Sequence, residues 1–345
     1  MQRKSVNILG IETSCDETAA AVVADGSVVK SSVIASQTKL HEKYGGVVPE
    51  IASRAHIEKI YPVIIEAMAQ AKTGKDDIDA IAVANQPGLT IALVVGVTAA
   101  KTLSFVWEKP LIAINHLHAH LHSAMLSEEN LQLPAVALIV SGGHTCLYDC
   151  ESPLELKLLG HTIDDAAGEA FDKVATILKL LYPGGPSIEK AAAKGNPEAI
   201  KFPRSMLGPK SLDFSFSGIK TAVLYYCRGQ DMKGENKVDS MSAQEIADIA
   251  ASFQAAVIDV LVKKTQRAAN RIVAKTILLG GGVAANNQLR RRLQNMCDST
   301  EPPRKLLVAP KQYCTDNAVM VASLAYHKFK AGLFTDLTLE PKATG

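Results

Sequence analysis

The pattern that opens at Val6 returns at Ala135, and this recurrence constrains the fold more than any other feature of the chain. In the first copy an apolar run over 6–14 meets the polar turn Cys15-Asp16-Glu17. Apolar residues resume over 19–23, the chain turns at Asp25-Gly26, and a third apolar run covers 28–34. That reads as a strand, a tight turn, a strand, a D-G hairpin and a third strand. In the second copy apolar residues fill 135–140, the turn is Ser141-Gly142-Gly143-His144-Thr145, and strand-like runs follow at 146–148 and 154–159. Two such meanders in 345 residues predict two lobes, because one hydrophobic core rarely serves that length.

Helical patterns fill the rest. Ile51, Ala55, Ile60, Ile64, Ile65 and Met68 lie on one face of a helix over 49–68. A short strand over 78–84 leads through Gln86-Pro87-Gly88 into a small-residue helix ending near Phe105, and a strand over 111–114 stops at Asn115. Residues 164–180 read as a helix closed by Pro183-Gly184-Gly185-Pro186, and 228–239 as a mobile loop. Ser242 and Glu245 form a capping box before a long amphipathic helix. A strand over 276–279, the run Gly280-Gly281-Gly282 and a helix through Leu293 complete the pattern. Strands alternating with helices indicate α/β layers, and two such lobes facing each other predict a central ligand cleft.

Hydrophobic residues make up 47% of the chain and charged residues 21%, which fits a folded rather than a disordered protein. Lys and Arg number 37 against 35 Asp and Glu, a formal +2 that excludes a uniformly basic coat but not a local basic surface. The longest apolar stretch, 91–107, is interrupted by Lys101, and the start carries no signal-peptide core. A cytoplasmic protein without a membrane segment is therefore expected. None of the six cysteines forms a C-x-x-C pair, so reduced, mostly buried thiols are expected.

Four places carry candidate chemistry. The loop Ser141-Gly142-Gly143 can cradle a phosphate with successive N–H groups, although a plain glycine hairpin would look the same; no G-K-[ST] follows to make it a Walker A loop. Gly280-Gly281-Gly282 at a strand-to-helix junction, with Asn286 and Asn287 beyond, suits a nucleoside or merely close strand–helix packing. Two glycine-rich loops together favour a nucleotide. In Asn115-His116-Leu117-His118-Ala119-His120-Leu121-His122, His116 pairs with His120, and His118 with His122, one helical turn apart, which suits a metal. Leu117 stands where a zinc protease of the H-E-x-x-H type has its glutamate. Asp316 could complete the ligand set or cap a helix. Asp164, Asp165, Glu169 and Asp172 fall on one expected helix, with Glu189 beyond. Asp172 and Glu189 could hold a ribose diol or form a solvated face, and Asp16 and Glu17 lie in the first hairpin turn.

The order Gly10-Ile11-Glu12-Thr13-Ser14-Cys15-Asp16-Glu17-Thr18, Tyr44-Gly45-Gly46-Val47-Val48-Pro49-Glu50, His116-x-x-x-His120, Val140 with Ser141-Gly142-Gly143-His144-Thr145, the acidic helix over 164–173, the turn over 182–186, Phe214-Ser215-Phe216-Ser217-Gly218 and Cys314-Thr315-Asp316-Asn317-Ala318 resembles the TsaD/YgjD family over residues 7 to about 325. The resemblance implies the two-lobed actin–Hsp70–sugar kinase fold, an α/β architecture with a duplicated βββαβα core and a central nucleotide cleft. Its lobes would be 1–130, with 310–345 packing back on it, and 131–309. It implies transfer of threonylcarbamoyl from threonylcarbamoyl-AMP to N6 of adenosine 37 in tRNAs that read codons beginning with adenine. His116, His120 and Asp316 match the family's ligands for one divalent metal, usually iron, with zinc the alternative. Ile139, Val140, Ser141, Gly142 and Gly143 match its phosphate and acyl-arm segment. Asp172, Gly185, Glu189 and Asn286 match its nucleoside positions. Asp16 is a candidate for steering or accepting the amine proton, or else caps its own turn. Lys43, Arg54, Lys210 and Arg290, Arg291 and Arg292 are candidates for tRNA phosphates. The implied partners are TsaB, TsaE and a TsaC-type synthase that supplies the adenylate. Gln86 and Asn115 depart from the family pattern, which more often has glycine and histidine there. A sugar or acetate kinase of the same fold would need no histidine-bound metal, and a nucleotide-gated binding module would modify no nucleoside.

Overall fold

The computed structural model describes residues 5–126, 131–208, 210–229 and 237–344. The chain divides into two compact units, one of residues 1–130 with 309–345 and one of residues 131–308. The first unit is built on five strands, β1 (Asn7–Glu12), β2 (Glu17–Ala24), β3 (Val28–Ser36), β4 (Ala80–Gln86) and β5 (Leu111–Asn115), in the order β3-β2-β1-β4-β5. The first three form the antiparallel meander, and β4 and β5 add to β1 in parallel. Parallel neighbours need crossover connections, supplied by α1 (Thr38–His41) with α2 (Pro49–Ala71) and by α3 (Thr90–Trp107); α4 (His116–Met125) follows β5 directly.

The central strand β1 is buried along its whole length, so both of its faces need a cover. Leu9 and Ile11 belong to a core with Val63, Ile64 and Ala67 of α2 and Val97 and Ala100 of α3. Helix α3 is long and apolar enough to cross a membrane by length and composition. Here Ala92, Leu93, Gly96, Val97 and Ala100 form its buried face.

In the second unit β6 (Ala135–Val140), β7 (Thr145–Cys150), β8 (Leu156–His161), β9 (Thr276–Gly280) and β10 (Lys305–Val308) take the order β10-β9-β6-β7-β8. Its ladder repeats the first: β6, β7 and β8 run antiparallel, and β9 and β10 add to β6 in parallel. The recurrence read in the sequence is thus a duplicated topology. Helices α5 (Ala167–Ile177), α6 (Gly184–Ala192), α7 (Ser217–Arg228), α8 (Ala243–Arg271) and α9 (Asn287–Asp298) complete the unit. The expected box at the start of α8 is present, with Ser242 N donating to Glu245 Oε2 at 2.8 Å and Glu245 N to Ser242 Oγ at 3.2 Å. Phe253 of α8 meets Phe171 of α5 edge to face at 5.2 Å. The chain then returns to the first unit as α10 (Ala318–Lys330), which packs on β1 and α4.

Three expectations need adjustment. The helix expected over 164–180 starts only at Ala167, because Asp164 and Asp165 turn to other partners. The strand expected over 78–84 runs from Ala80 to Gln86, after a helical turn at Lys75–Asp77. Of the loop expected over 228–239, residues 230–236 lie outside the described residues. All six cysteines are free, five of them buried and Cys15 half-buried.

Gly10 faces α10 so closely that a Cβ there would lie 2.5 Å from the carbonyl oxygen of Ala318. Because that atom is backbone, Gly10→Ala must push α10 away from β1. A loss of about 1–3 kcal/mol is expected as a lowered urea midpoint; an unchanged midpoint would show that the contact is not tight.

Candidate metal centre and glycine loops

Asn115 ends β5 and caps α4, its Oδ1 accepting from Leu117 N at 2.9 Å and His118 N at 3.1 Å. This cap gives asparagine a role at the position, since it satisfies orphan donors of the first turn. It also turns His116 and His120 toward one point. His116 Nε2 lies 3.4 Å and His120 Nε2 3.1 Å from Asp316 Oδ1. The three ligand atoms lie within 4.8 Å of one another. Asp316 is available for this because its neighbour does the capping: Asn317 Oδ1 accepts from Met320 N at 3.0 Å. Among the described residues His118 and His122 enter no such group; the His122 ring tilts against His327 at 5.0 Å.

Glu12, at the end of β1, was given no role in the reading of the sequence, yet it orders this centre. Its Oε1 accepts from Ser14 N at 2.6 Å and its Oε2 lies 2.9 Å from His116 Nδ1. A carboxylate oxygen accepts, so a proton belongs on Nδ1, and Nε2 is the ring atom that faces Asp316. Ser14 Oγ, 3.0 Å from the same Nδ1, flanks the ring. A glutamate at the end of an otherwise apolar strand was the available signal.

The electrostatics favour a cation. Burial works to lower the His116 pKa, but the charges of Glu12 and Asp316 outweigh it and raise it well above the usual value. Burial would raise Asp316, yet His116 and His120 hold it well below the ordinary carboxylate range. Burial and then the charge of Asp316 raise Asp16, and burial with the charge of Asp16 pushes Glu17 up to about 8. Among the described residues no Lys or Arg forms an ion pair with Glu12, Asp16, Glu17 or Asp316. Two imidazole nitrogens and a carboxylate oxygen are a donor set that suits Fe²⁺ or Zn²⁺ and leaves coordination positions open.

The second unit gathers most of the remaining candidates at the carboxyl ends of β6 and β9. These strands are parallel neighbours, with Ile139 opposite Gly280, so the loop after Val140 and the loop after Gly280 lie side by side. Gly281 must be glycine: its φ is +90° and a Cβ would lie 2.4 Å from Val140 O. In the other loop Ser141 N donates to His144 O at 2.8 Å, and His144 N donates back to Ser141 Oγ at 3.1 Å. Space is open above Gly142 and Gly143. Ser141 O and Gly142 O take the Gly168 and Glu169 amides of α5 at 3.2 and 3.1 Å, and Gly142 and Gly143 are exposed.

Asp172 Oδ1 accepts from Gly184 N at 2.7 Å, fixing the start of α6, where Gly185 faces open space. Glu189 Oε1 accepts from Asn287 N at 2.8 Å and Nδ2 at 3.0 Å, tying α6 to α9. Asn286 Oδ1 caps α9 through Leu289 N at 2.9 Å, and its Nδ2 donates to Gln254 Oε1 at 2.7 Å. One Nδ2 hydrogen is what Asn286 has left for a ligand. Asp164 and Asp165 serve the fold instead: Asp164 takes the Phe216 and Ser217 amides at 2.8 and 3.3 Å, and Asp165 pairs with Lys173 and Lys220. Of the basic candidates, Arg292 pairs with Asp259 at 2.7 Å. Arg290 Nε donates to Ala284 O, and Lys43 lies over the Tyr44 ring.

A family model described as TsaD, tRNA N6-adenosine threonylcarbamoyltransferase, matches residues 28–323. The chain belongs to the TsaD family. A Moorella thermoacetica protein named tRNA N6-adenosine threonylcarbamoyltransferase is 51% identical over 335 residues, covering 96% of this chain and 95% of its own. A Rhodopirellula baltica protein of the same name is 51% identical over 345 residues with the same coverage of both chains. The TsaD chain is accordingly an acyltransferase. Among solved structures, full-length HypF in its phosphate- and nucleotide-bound form aligns with a TM-score of 0.61 at 14% identity, over 97% of this chain and 48% of that one. The Acidaminococcus fermentans (R)-2-hydroxyglutaryl-CoA dehydratase component A aligns at 0.52 and 17%, over 94% and 98%. At those identities the likeness concerns the fold alone, the actin–Hsp70–sugar kinase architecture.

The Asp164 contacts carry a pH dependence. Burial opposes them, but the Ser215, Phe216 and Ser217 donors hold its pKa below the ordinary 3.8. Their contribution is full above that value and is lost as pH falls through the folded-state pKa. Asp164→Ala should cost about 1 kcal/mol at neutral pH. In denaturation series against pH, its deficit relative to wild type should shrink below pH 3.8. A deficit independent of pH would mean that the charged carboxylate does not hold α7.

Proposed function

We propose that this chain transfers the threonylcarbamoyl group of threonylcarbamoyl-AMP to N6 of adenosine 37 in tRNAs that read codons beginning with adenine. One observation carries this reading: relatives that share half their residues with almost the whole chain bear the name of that transferase. In the reaction N6 attacks the carbamoyl carbon and the bond from that carbon to the phosphate oxygen breaks. AMP leaves with the electron pair, and N6 releases a proton. The amine is a poor nucleophile because its lone pair is delocalised, so the chain has to hold and polarise the acyl donor.

Ser141, Gly142 and Gly143, extending Ile139 and Val140, bind the phosphate, and their amides meet the charge that grows as it departs. Asp172, Gly185, Glu189 and Asn286 line the nucleoside position. His116, His120 and Asp316 hold one divalent ion, Fe²⁺ in the reading we favour and Zn²⁺ as the alternative. When bound, that ion supplies Lewis acidity to the acyl donor. Glu12 keeps the His116 ring in its ligating orientation. Asp16, whose carboxyl is raised by burial, is the group we assign to accept the N6 proton. The target base leaves its stack in the anticodon loop to react. TsaB and TsaE assist with the tRNA, a TsaC-type synthase supplies the adenylate, and the reaction is cytoplasmic.

The test is reconstitution of the full chain with tRNA, threonine, bicarbonate, ATP, the synthase and the partner proteins, followed by mass spectrometry of digested nucleosides. Threonylcarbamoyladenosine is expected, and its absence with wild type would overturn the reading. Asp316→Ala should abolish product and bring bound metal well below one per chain by elemental analysis; full product would remove the metal from the account. Glu12→Gln should weaken metal affinity by about 10- to 100-fold in chelator competition.

A further inference from the structure

Helix α8 carries two kinds of cationic neighbourhood. At Asp259 two arginines share one carboxylate, Arg204 at 3.1 Å and Arg292 at 2.7 Å. Toward its end Lys263, Arg267 and Arg271 follow one another at intervals of four, on one face of the helix. Like charges at that spacing repel by a few tenths of a kcal/mol per pair. The favourable position of a cation near a helix C-terminus accounts for Arg271 but not for Lys263 two turns earlier. Among the described residues none of these three forms an ion pair with a carboxylate, and neither does Lys210.

Lys210, Arg267 and Arg271, together with Asn270 and Leu212, line an open basin of about 690 Å³. Lys210 comes from a loop 57 residues before Arg267 (267 − 210), so the grouping is a product of tertiary structure. The loop is held at the helix by Arg267 Nη1, which donates to Gly208 O at 3.2 Å. The floor is apolar, since Leu212 is buried against Gly160 of β8. Three cationic side chains, an amide and no acid in the wall suit an extended polyanion better than a compact one. Guanidinium groups pair well with successive phosphates.

We propose that this basin binds the phosphodiester backbone of the tRNA substrate, outside the nucleoside that reacts. The inference rests on the function proposed above and names a surface through which its RNA substrate is held. Contacts of this kind position a nucleic acid and carry no sequence preference.

The test uses the full chain, with Lys210→Gln, Arg267→Gln and Arg271→Gln made singly and together. The first and last positions are exposed, so folding should be kept, and the thermal midpoint of each variant checks this. Affinity for unmodified tRNA is measured by filter binding across a salt series. Each single change should reduce the slope of log affinity against log salt by about 1, and the triple change should weaken binding about tenfold or more. In the reconstituted reaction KM for tRNA should rise in step, with kcat kept. A folded triple variant with wild-type tRNA affinity and salt slope would overturn the inference. Loss of a partner protein's binding with tRNA affinity intact would also overturn it, making the surface a protein contact. A wild type that binds tRNA through these residues yet yields no threonylcarbamoyladenosine would sink the proposed reaction and leave the basin standing.

Discussion

The first unit depends on one buried acid. Glu12 lies fully buried at the end of the central strand, where a carboxyl group without partners would cost several kcal/mol. It has partners on both oxygens, the Ser14 amide on one and the His116 ring on the other. These contacts tie β1 to the turn that follows it and to the first residue of α4. Through His116 the same chain of contacts reaches Asp316, and so the loop that enters α10. The elements that carry His116 and Asp316 are therefore tied together by a residue outside the His116, His120 and Asp316 group. Close packing supplies the matching restraint: Gly10, two residues back on the same strand, lets α10 approach against backbone. A larger side chain there would move Asp316 together with the helix it precedes.

Duplication explains why chemistry collects where it does. In each unit the first strand of the meander pairs in parallel with the strand that follows the crossover, so their carboxyl ends open on the same edge of the sheet. That edge is where α/β folds expose helix N-termini and loop amides. The two copies have filled it differently. After β1 and β5 come acids and histidines, a donor set for a cation. After β6 and β9 come glycines, and the space above Gly142 and Gly143 is open to close approach. One topology thus carries acids and histidines at this edge in one unit and glycines in the other.

Much of this could be read in the chain before any coordinates. The meanders, the capping box at Ser242, the one-turn spacing of His116 and His120 and the glycine loops are local patterns, and local patterns survive in sequence. What could not be read is what depends on distant partners. Spacing alone did not choose between the 116/120 and 118/122 pairs; Asp316, 196 residues beyond His120, makes the choice. Asp164 looked like a first-turn helix residue because its contacts with Phe216 and Ser217 lie about fifty positions away. Asp316 could have been a cap by residue type, and only the geometry at Met320, whose amide donates to Asn317 Oδ1, excludes that role. Asn286 illustrates the reverse case: it does belong to the glycine loop, but most of its hydrogen-bonding capacity serves the protein.

A net charge of +2 conceals how unevenly charge is placed. Burial first, and then the charges of Asp316 on Asp16 and of Asp16 and Asp316 on Glu17, raise the pKa values of Asp16 and Glu17, and no lysine or arginine pairs with Glu12, Asp16, Glu17 or Asp316 among the described residues. The stripe on α8 has the opposite imbalance. Neither arrangement helps the fold: buried like charges repel more strongly as the local dielectric falls, and exposed ones repel along a helix. A phosphate-bearing substrate would be repelled by the acidic centre unless a cation offset that charge. The acidic surroundings of His116, His120 and Asp316 are thus the kind of environment that a divalent cation would offset. An ion at His116, His120 and Asp316 would relieve the fold and admit an anion in one step, which links the stability of this unit to its chemistry.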